Sequence, residues 1–275
     1  MVQKTTSVLV CACFVQSYGI TRYTLELLKN LVRIDSSLAI TLLVSKVNRE
    51  RFRELEPVVV LKTIPFAAFV PRLLYFHLFV PFITRRYGLV HCVGNLGLFW
   101  TKTPQILSIM DTYECSCPQR FALLKRIAMR LAIAASGRNA AAILTISDNT
   151  SRDVGRYYPA LKGKTRRIYL GTSARAPGAA DRTVAADAPY LCVGTLEPGK
   201  NLVTALKALA RYRAQGGTRC LHIVGAQGWR QQELFRTAAY LGSGGEVSFL
   251  GYLGDEDLAQ KYATAFALAF TWLYE

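Results

Sequence analysis

The sequence predicts an α/β chain made of two parallel-sheet halves, and three observations carry that prediction. Short, nearly continuous apolar runs such as VLVCAC, ITLLV and AAILTI alternate with amphipathic stretches long enough to be helices. Strands of that texture belong to parallel sheets covered on both faces. The alternation stops after Gly171 in TSARAPGAADRTVAADAP, a stretch without periodicity, and restarts at YLCVG. The chain has 275 residues, enough for two domains at ~100–200 residues each. The expected division is an N-terminal Rossmann-like half over 1–173, a linker over 174–188 and a C-terminal Rossmann-like half over 189–275.

Each element has its own reason. TSVLVCAC reads as a first buried strand, because a short Val- and Cys-rich run ending in polar Gln16, Ser17 and Tyr18 is a poor secretion signal. ITRYTLELLKNL is helical, with Tyr23, Leu27, Leu28 and Leu31 on one face, and LAITLLVS is the next strand. The stretch from Ile64 to Ile83 has the length of a membrane span but contains Arg72, His77 and the prolines Pro65, Pro71 and Pro81. A spanning helix would have to bury that charge in hydrocarbon and repair its broken hydrogen bonds, so a core or membrane-facing helix pair is expected. GLVHCV and QILSIMD are further short apolar runs. FALLKRIAMRLAIAA (helix), AAILTIS (strand), TSRDVGRYY (helix) and RRIYLG (strand) complete the first half. The second half reads YLCVG, LVTALKALARYR, RCLHIVG, QQELFRTAAYL, VSFLG, DEDLAQKYATA and FALAF, strand and helix in turn.

Lys and Arg outnumber Asp and Glu by 34 to 18, a net charge of +16, with much of the excess between Arg120 and Arg167. That balance favours an anionic ligand or surface over a merely solvated basic face. Nucleic acid ranks behind a phosphate-bearing substrate or an anionic membrane, because the arginines are not interleaved with aromatics in any recognisable module. The seven cysteines are odd in number and mostly lie in apolar runs, as expected of reduced, buried thiols in a cytoplasmic protein. Their two C-x-C pairs lack metal-site spacing, and no metal or other cofactor is expected.

The stretch VGTLEPGKN, Val193 to Asn201, falls where a strand hands over to a helix. A helix start beyond a parallel strand presents free N–H groups and a positive dipole end, which suits phosphate. Gly194 and Gly199 permit close backbone approach, Pro198 stiffens the turn and Lys200 adds a cation. An ordinary tight loop with a solvent lysine is the alternative, since the stretch is neither a dinucleotide fingerprint nor a Walker loop. IVGAQG, ending a strand near Gly225, and VQSYGIT, at Val15 to Thr21, are two further glycine-bearing loops.

The ordered set SYGITRYTLELLKNL, LVHCVGNLG, ILSIMDTYE, AAILTISDNTSRDV, RIYLGTS, YLCVGTLEPGKNLVTALKAL, LHIVGAQG and VSFLGYLGDEDLAQKYATAFALAFTWLYE resembles the family-4 retaining glycosyltransferases over essentially the whole chain. The resemblance implies a GT-B fold, with an acceptor-side first domain and a nucleotide-sugar-binding second domain, the second one incomplete. It implies a donor site of Gly19, Gly194, Thr195, Lys200, Asn201 and Gly225, with Lys200 on the diphosphate, and catalytic positions at Asp111 and Glu275. Glu275 matches the first glutamate of the E-x7-E motif, so the chain is expected to be a piece of a longer transferase, inactive in this form. The sequence also departs from the family. Met110 replaces a common histidine, Thr195 and Gly199 stand where arginine is frequent, and Thr271 and Trp272 replace Pro-Ser. His91 is expected to support its loop.

The function expected from the resemblance is transfer of a hexose from a nucleotide-diphosphate sugar to a glycan or lipid-linked acceptor, in polysaccharide or lipopolysaccharide assembly. The expected place is the cytoplasm, peripheral on an anionic membrane surface met by Arg72, Arg85 and Arg86 around the aromatic stretch LLYFHLFVPF. The competing expectation is an inactive GT-B-like binding or scaffold module.

Overall fold

The structure is a computed structural model and describes residues 6–118, 121–171, 184–228, 231–241 and 245–274. Most of the expected linker and Glu275 lie outside the described residues. The chain divides into two compact units, Met1–Gly171 and Thr172–Glu275.

The first unit runs β1 (Ser7–Cys11), α1 (Tyr18–Ile34), β2 (Ala39–Ser45), β3 (Val60–Ile64), α2 (Phe69–Leu78), α3 (Val80–Ile83), β4 (Leu89–Cys92), β5 (Gln105–Ile109), α4 (Tyr113–Ser116), α5 (Leu123–Asn139), β6 (Ala142–Thr145), α6 (Asp148–Tyr157) and β7 (Thr165–Arg167). Its seven strands lie in the order β3-β2-β1-β4-β5-β6-β7, and every pairing is parallel. The period of two along β1 sorts the core. Val8, Val10 and Ala12 pack in the cluster that holds Leu28 of α1, whereas Leu9, Cys11 and Cys13 pack in the cluster that holds Phe76, Ile133 and Val154. Helices therefore cover both faces, as the unbroken apolar strands require.

Three expectations need correction. Val60–Ile64, unassigned on sequence, forms edge strand β3 beside β2. The last strand of the unit is Thr165–Arg167 rather than RRIYLG, because its partner β6 ends at Thr145, whose carbonyl takes the last ladder bond from Ile168 N at 2.8 Å. Arg72, expected to face an anionic surface, is buried at 3% exposure. Its guanidinium sits 5.3 Å from the Phe14 ring centroid and 6.0 Å from that of Phe69, and donates to the Ala67 carbonyl at 3.1 Å. The aromatic rings and the carbonyl at the start of α2 replace water around that charge. The helix pair itself forms: Pro71 lies in the first turn of α2, where a missing N–H costs little, and Pro81 opens α3.

The second unit runs β8 (Tyr190–Val193), α7 (Leu202–Ala214), β9 (Leu221–Val224), α8 (Gln232–Tyr240), β10 (Val247–Gly251), α9 (Asp255–Thr264) and β11 (Ala267–Leu268). Its parallel sheet has the order β10-β9-β8-β11. Both sheets reverse their strand order beside their first strand, at β1/β4 and at β8/β11. Ligands of open α/β sheets bind at such points, beyond the carboxyl ends of the strands.

Candidate functional site

In the second unit the reversal brings together two segments far apart in sequence. After β8 the chain makes a 3-10 turn at Pro198–Lys200 and enters α7 through Asn201, whose φ of 51° and ψ of 37° are left-handed. After β11 the segment from Thr271 to Leu273 runs alongside this turn. Thr271 Oγ1 donates to the Lys200 carbonyl at 3.0 Å, Asn201 Nδ2 donates to the Thr271 carbonyl at 3.1 Å, and Leu273 N donates to the Gly199 carbonyl at 3.3 Å. Asn201 Oδ1 also accepts from Thr204 Oγ1 at 2.9 Å. The strained left-handed residue is thus held by side-chain bonds on both sides.

Lys200 Nζ lies 3.0 Å from the centroid of the Trp272 ring. The ring face meets the ammonium from one side and fixes where its charge stands at the mouth of the helix start. Trp272, read on sequence only as a departure from Pro-Ser, is the residue that sequence reasoning missed. A cavity of about 240 Å³ adjoins the turn on the α8 side, lined among others by Glu197, Asn201, Thr204, Lys207 and Gln231.

The glycines of the expected donor site have unequal tasks. Gly194 has φ +151°, an angle that favours glycine, and a Cβ there would press on the Trp272 ring at 3.3 Å. Gly225 is closed off: a Cβ would meet the Gly194 carbonyl oxygen at 1.9 Å and Thr195 N at 3.2 Å. The two loops cross there, tied by Leu196 N donating to the Ala226 carbonyl at 3.0 Å and by a bridge between Leu196 and Gln227. Gly225 and Thr195 thereby shape the Lys200 loop from beneath.

In the first unit Gly19 and Asp111 lie at the carboxyl edge of the sheet, after β1 and β5. Gly19 occupies the first turn of α1, capped by Ser17 Oγ accepting from Ile20 N at 3.3 Å, and a Cβ at Gly19 would meet nothing within 4 Å. The Asp111 carboxylate accepts from Asn95 Nδ2 and from Tyr113 N, both at 3.3 Å, while Asn95 Oδ1 accepts from Met110 N at 2.7 Å. Asn95 reaches both through a left-handed φ of 69°, next to Gly94 at 87°. Met110 points into the protein rather than out of this edge, being 7% exposed, and its carbonyl accepts from Thr150 Oγ1 at 3.1 Å. The structure brings Asp111 together with Asn95, and Lys200 together with Trp272, Gly194 and Asn201, each group within its own unit.

His91 lies in β4 and is buried, with Nε2 2.8 Å from Ser108 Oγ, which also meets the Tyr23 hydroxyl at 3.1 Å. Burial lowers its pKa from 6.5 to about 4. The folded chain therefore takes up this proton less readily than the unfolded chain. The stabilisation is complete above pH 6.5 and is lost as pH falls toward about 4, a contribution of about 3 kcal/mol. Urea unfolding should show stability falling over that window in the wild type and a shallower fall in His91→Gln. An identical slope in both would place the acid sensitivity elsewhere.

Known proteins supply the comparison. The family described as "Glycosyl transferases group 1" matches residues 185–275, the second unit and the end of the linker. Among curated proteins none matches the sequence. Several solved structures share the fold. HepE from Anabaena in complex with UDP-glucose aligns at 17% identity and TM-score 0.69, covering 97% of this chain and 74% of that one. WaaG, a glycosyltransferase involved in lipopolysaccharide biosynthesis, aligns at 15% and 0.68, covering 98% and 75%. A putative UDP-N-acetylglucosamine 2-epimerase from Listeria monocytogenes aligns at 10% and 0.61, covering 97% and 74%. These likenesses establish the α/β, GT-B type of fold. Such a fold alone does not choose the reaction.

Proposed function

We propose that the chain is a retaining glycosyltransferase that moves a hexose from a nucleotide-diphosphate sugar to a glycan or lipid-linked acceptor in cell-surface polysaccharide or lipopolysaccharide assembly. The observation that carries this reading is the Lys200 loop. It is a cation held against Trp272, at a helix start, at the point where the second sheet reverses. The match of this unit to group 1 glycosyl transferases supports transfer over epimerisation.

Breaking a sugar–phosphate bond builds negative charge on the leaving diphosphate and positive charge on the sugar ring. Lys200 and the first N–H groups of α7 are donors already in place for the former, so little reorganisation is needed as charge develops. In this reading Gly194, Thr195, Asn201 and Gly225 shape the donor loop, Gly19 is the donor-side residue assigned to the first unit, and Asp111 and Glu275 are the residues assigned to the transferred sugar. With no enzyme nucleophile assigned, the acceptor hydroxyl attacks on the face the diphosphate leaves, and a phosphate oxygen takes its proton. No metal is required by this scheme.

The reading also places the chain in the cytoplasm, against an anionic membrane. Phe69, Val70, Leu74, Leu78 and Phe79 of the α2 stretch are more than half exposed. No helix among the described residues is long and apolar enough to cross a bilayer.

Incubation with UDP- and GDP-hexoses and an acceptor mixture should release the nucleoside diphosphate and give a product with the donor's anomeric configuration, read by NMR. Donor binding without turnover would favour a binding module instead. Failure to bind UDP, GDP or ADP would remove the nucleotide-sugar reading.

A further inference from the structure

One buried charge in the first unit has no counter-charge. Arg49, Arg53 and Arg167 each meet a carboxylate at the surface, at 2.8, 3.1 and 3.2 Å. Arg72 is the only arginine buried among the described residues, and among them no carboxylate pairs with it. Its Nη1 donates to the Ala67 carbonyl, but its Nε is enclosed without a hydrogen-bond partner. Cys13 lies close enough to feel the charge and does not neutralise it. Burial pushes that thiol well above its ordinary range, and Sγ donates to the Leu43 carbonyl at 3.3 Å. The Phe14 and Phe69 rings offset only part of the cost of enclosing a guanidinium, because a ring face attracts a cation less than burial penalises it.

The same turn is an open helix start. Helix α2 begins at Phe69 with Ala68 before it, no side chain caps it, and its first turn holds no acid. Pro71 has no N–H, and Arg72 N already donates to the Ala68 carbonyl at 3.2 Å. The N–H groups of Phe69 and Val70 are left without an intrahelical acceptor, at the positive end of the helix dipole. A guanidinium edge lacking a partner and an uncapped helix of ten residues thus meet within Ala68–Arg72, beyond the carboxyl end of β3.

We propose that Arg72 and the start of α2 bind the phosphate monoester group of a small molecule. The Nε edge of the fork takes two phosphate oxygens, and the Phe69 and Val70 N–H groups take the third. A carboxylate would have no oxygen left for the helix once the fork is filled. Phe69, 56% exposed, turns aside to admit the ligand. The phosphodiesters of a polymer or a bilayer do not reach a side chain that is 3% exposed, so the ligand is small. The proposal concerns the first unit alone and does not rest on the donor chemistry of Lys200.

Calorimetric titration of the whole chain with inorganic phosphate and with glucose 6-phosphate tests it. Both should bind, and the tighter of the two identifies the ligand as the free ion or a phosphorylated sugar. Arg72→Met and Ala68→Asp should each weaken that binding at least about tenfold while keeping the affinity for UDP. Lys200→Ala should leave it unchanged. Ala68→Asp supplies a cap and a carboxylate at the helix start, so its thermal midpoint should rise as phosphate binding is lost, which separates lost binding from lost fold. Absence of saturable binding by the wild type would overturn the proposal. So would wild-type affinity in Ala68→Asp, loss confined to Lys200→Ala, or acetate binding as tightly as phosphate. Phosphate binding without any UDP binding would leave this site standing and remove the donor reading alone.

Discussion

Lys200→Ala is expected to weaken binding of UDP or GDP by about 1.5–3 kcal/mol, the range of a hydrogen bond to a charged group. Nucleoside binding should change far less, because only the diphosphate meets the ammonium. The geometry adds a second arm to the experiment. Since Nζ stands 3.0 Å from the Trp272 centroid, Trp272→Ala should release the ammonium from its fixed position, at a cost of about 0.5–2 kcal/mol. In a double-mutant cycle the Trp272 effect on UDP binding should largely vanish once Lys200 is alanine. Calorimetry showing equal affinity for UDP and GDP in wild type and Lys200→Ala would take Lys200 out of the site. Full additivity of the two substitutions would mean that the ring does not position the charge.

Gly225→Ala is expected to be among the most disruptive single-methyl changes in the second unit. The added carbon would stand 1.9 Å from the Gly194 carbonyl oxygen and 2.5 Å from its carbonyl carbon. Both are backbone atoms, so no side chain can rotate aside. Relief requires the β8 and β9 loops to part, breaking the bond from Leu196 N to the Ala226 carbonyl. A loss of about 3 kcal/mol or more in unfolding free energy follows from overpacking of this severity. Gly19→Ala makes a matched control, since its Cβ would meet nothing within 4 Å and its stability should barely move. Equal unfolding midpoints for Gly225→Ala and wild type would show that the loops are not locked together as described.

Much of the fold is legible in the sequence because its signals are local. The period of two in VLVCAC sorts β1 between two helix layers, and the helical stretches ITRYTLELLKNL and TSRDVGRYY give α1 and α6. Where a boundary depends on a partner, the local signal fails. RRIYLG is apolar enough for a strand, but β6 stops at Thr145 and the ladder stops with it. The stretch from Ile64 to Ile83 reads correctly as a proline-broken helix pair. Its one arginine, an exposed cation by sequence logic, is instead enclosed by Phe14, which comes from the loop after β1.

By itself, then, the sequence determined the class of the fold, two runs of parallel strands and helices, and put Lys200 and Asn201 where a strand passes into a helix. Asp111 likewise fell at the end of its strand. Those are statements about neighbours along the chain, and hydrophobic period and turn chemistry encode them directly. Only the tertiary structure decided that Trp272 lies over Lys200, that Gly225 is glycine for the sake of Gly194 and that Arg72 is buried. Each of these depends on strand order. Residues 71 positions apart, Thr271 and Lys200, meet because β11 joins the sheet beside β8 and not beyond β10. Every strand in the unit has the same apolar texture, so the local pattern does not specify which one lies next to which. That choice is made by how the whole set of faces is buried together.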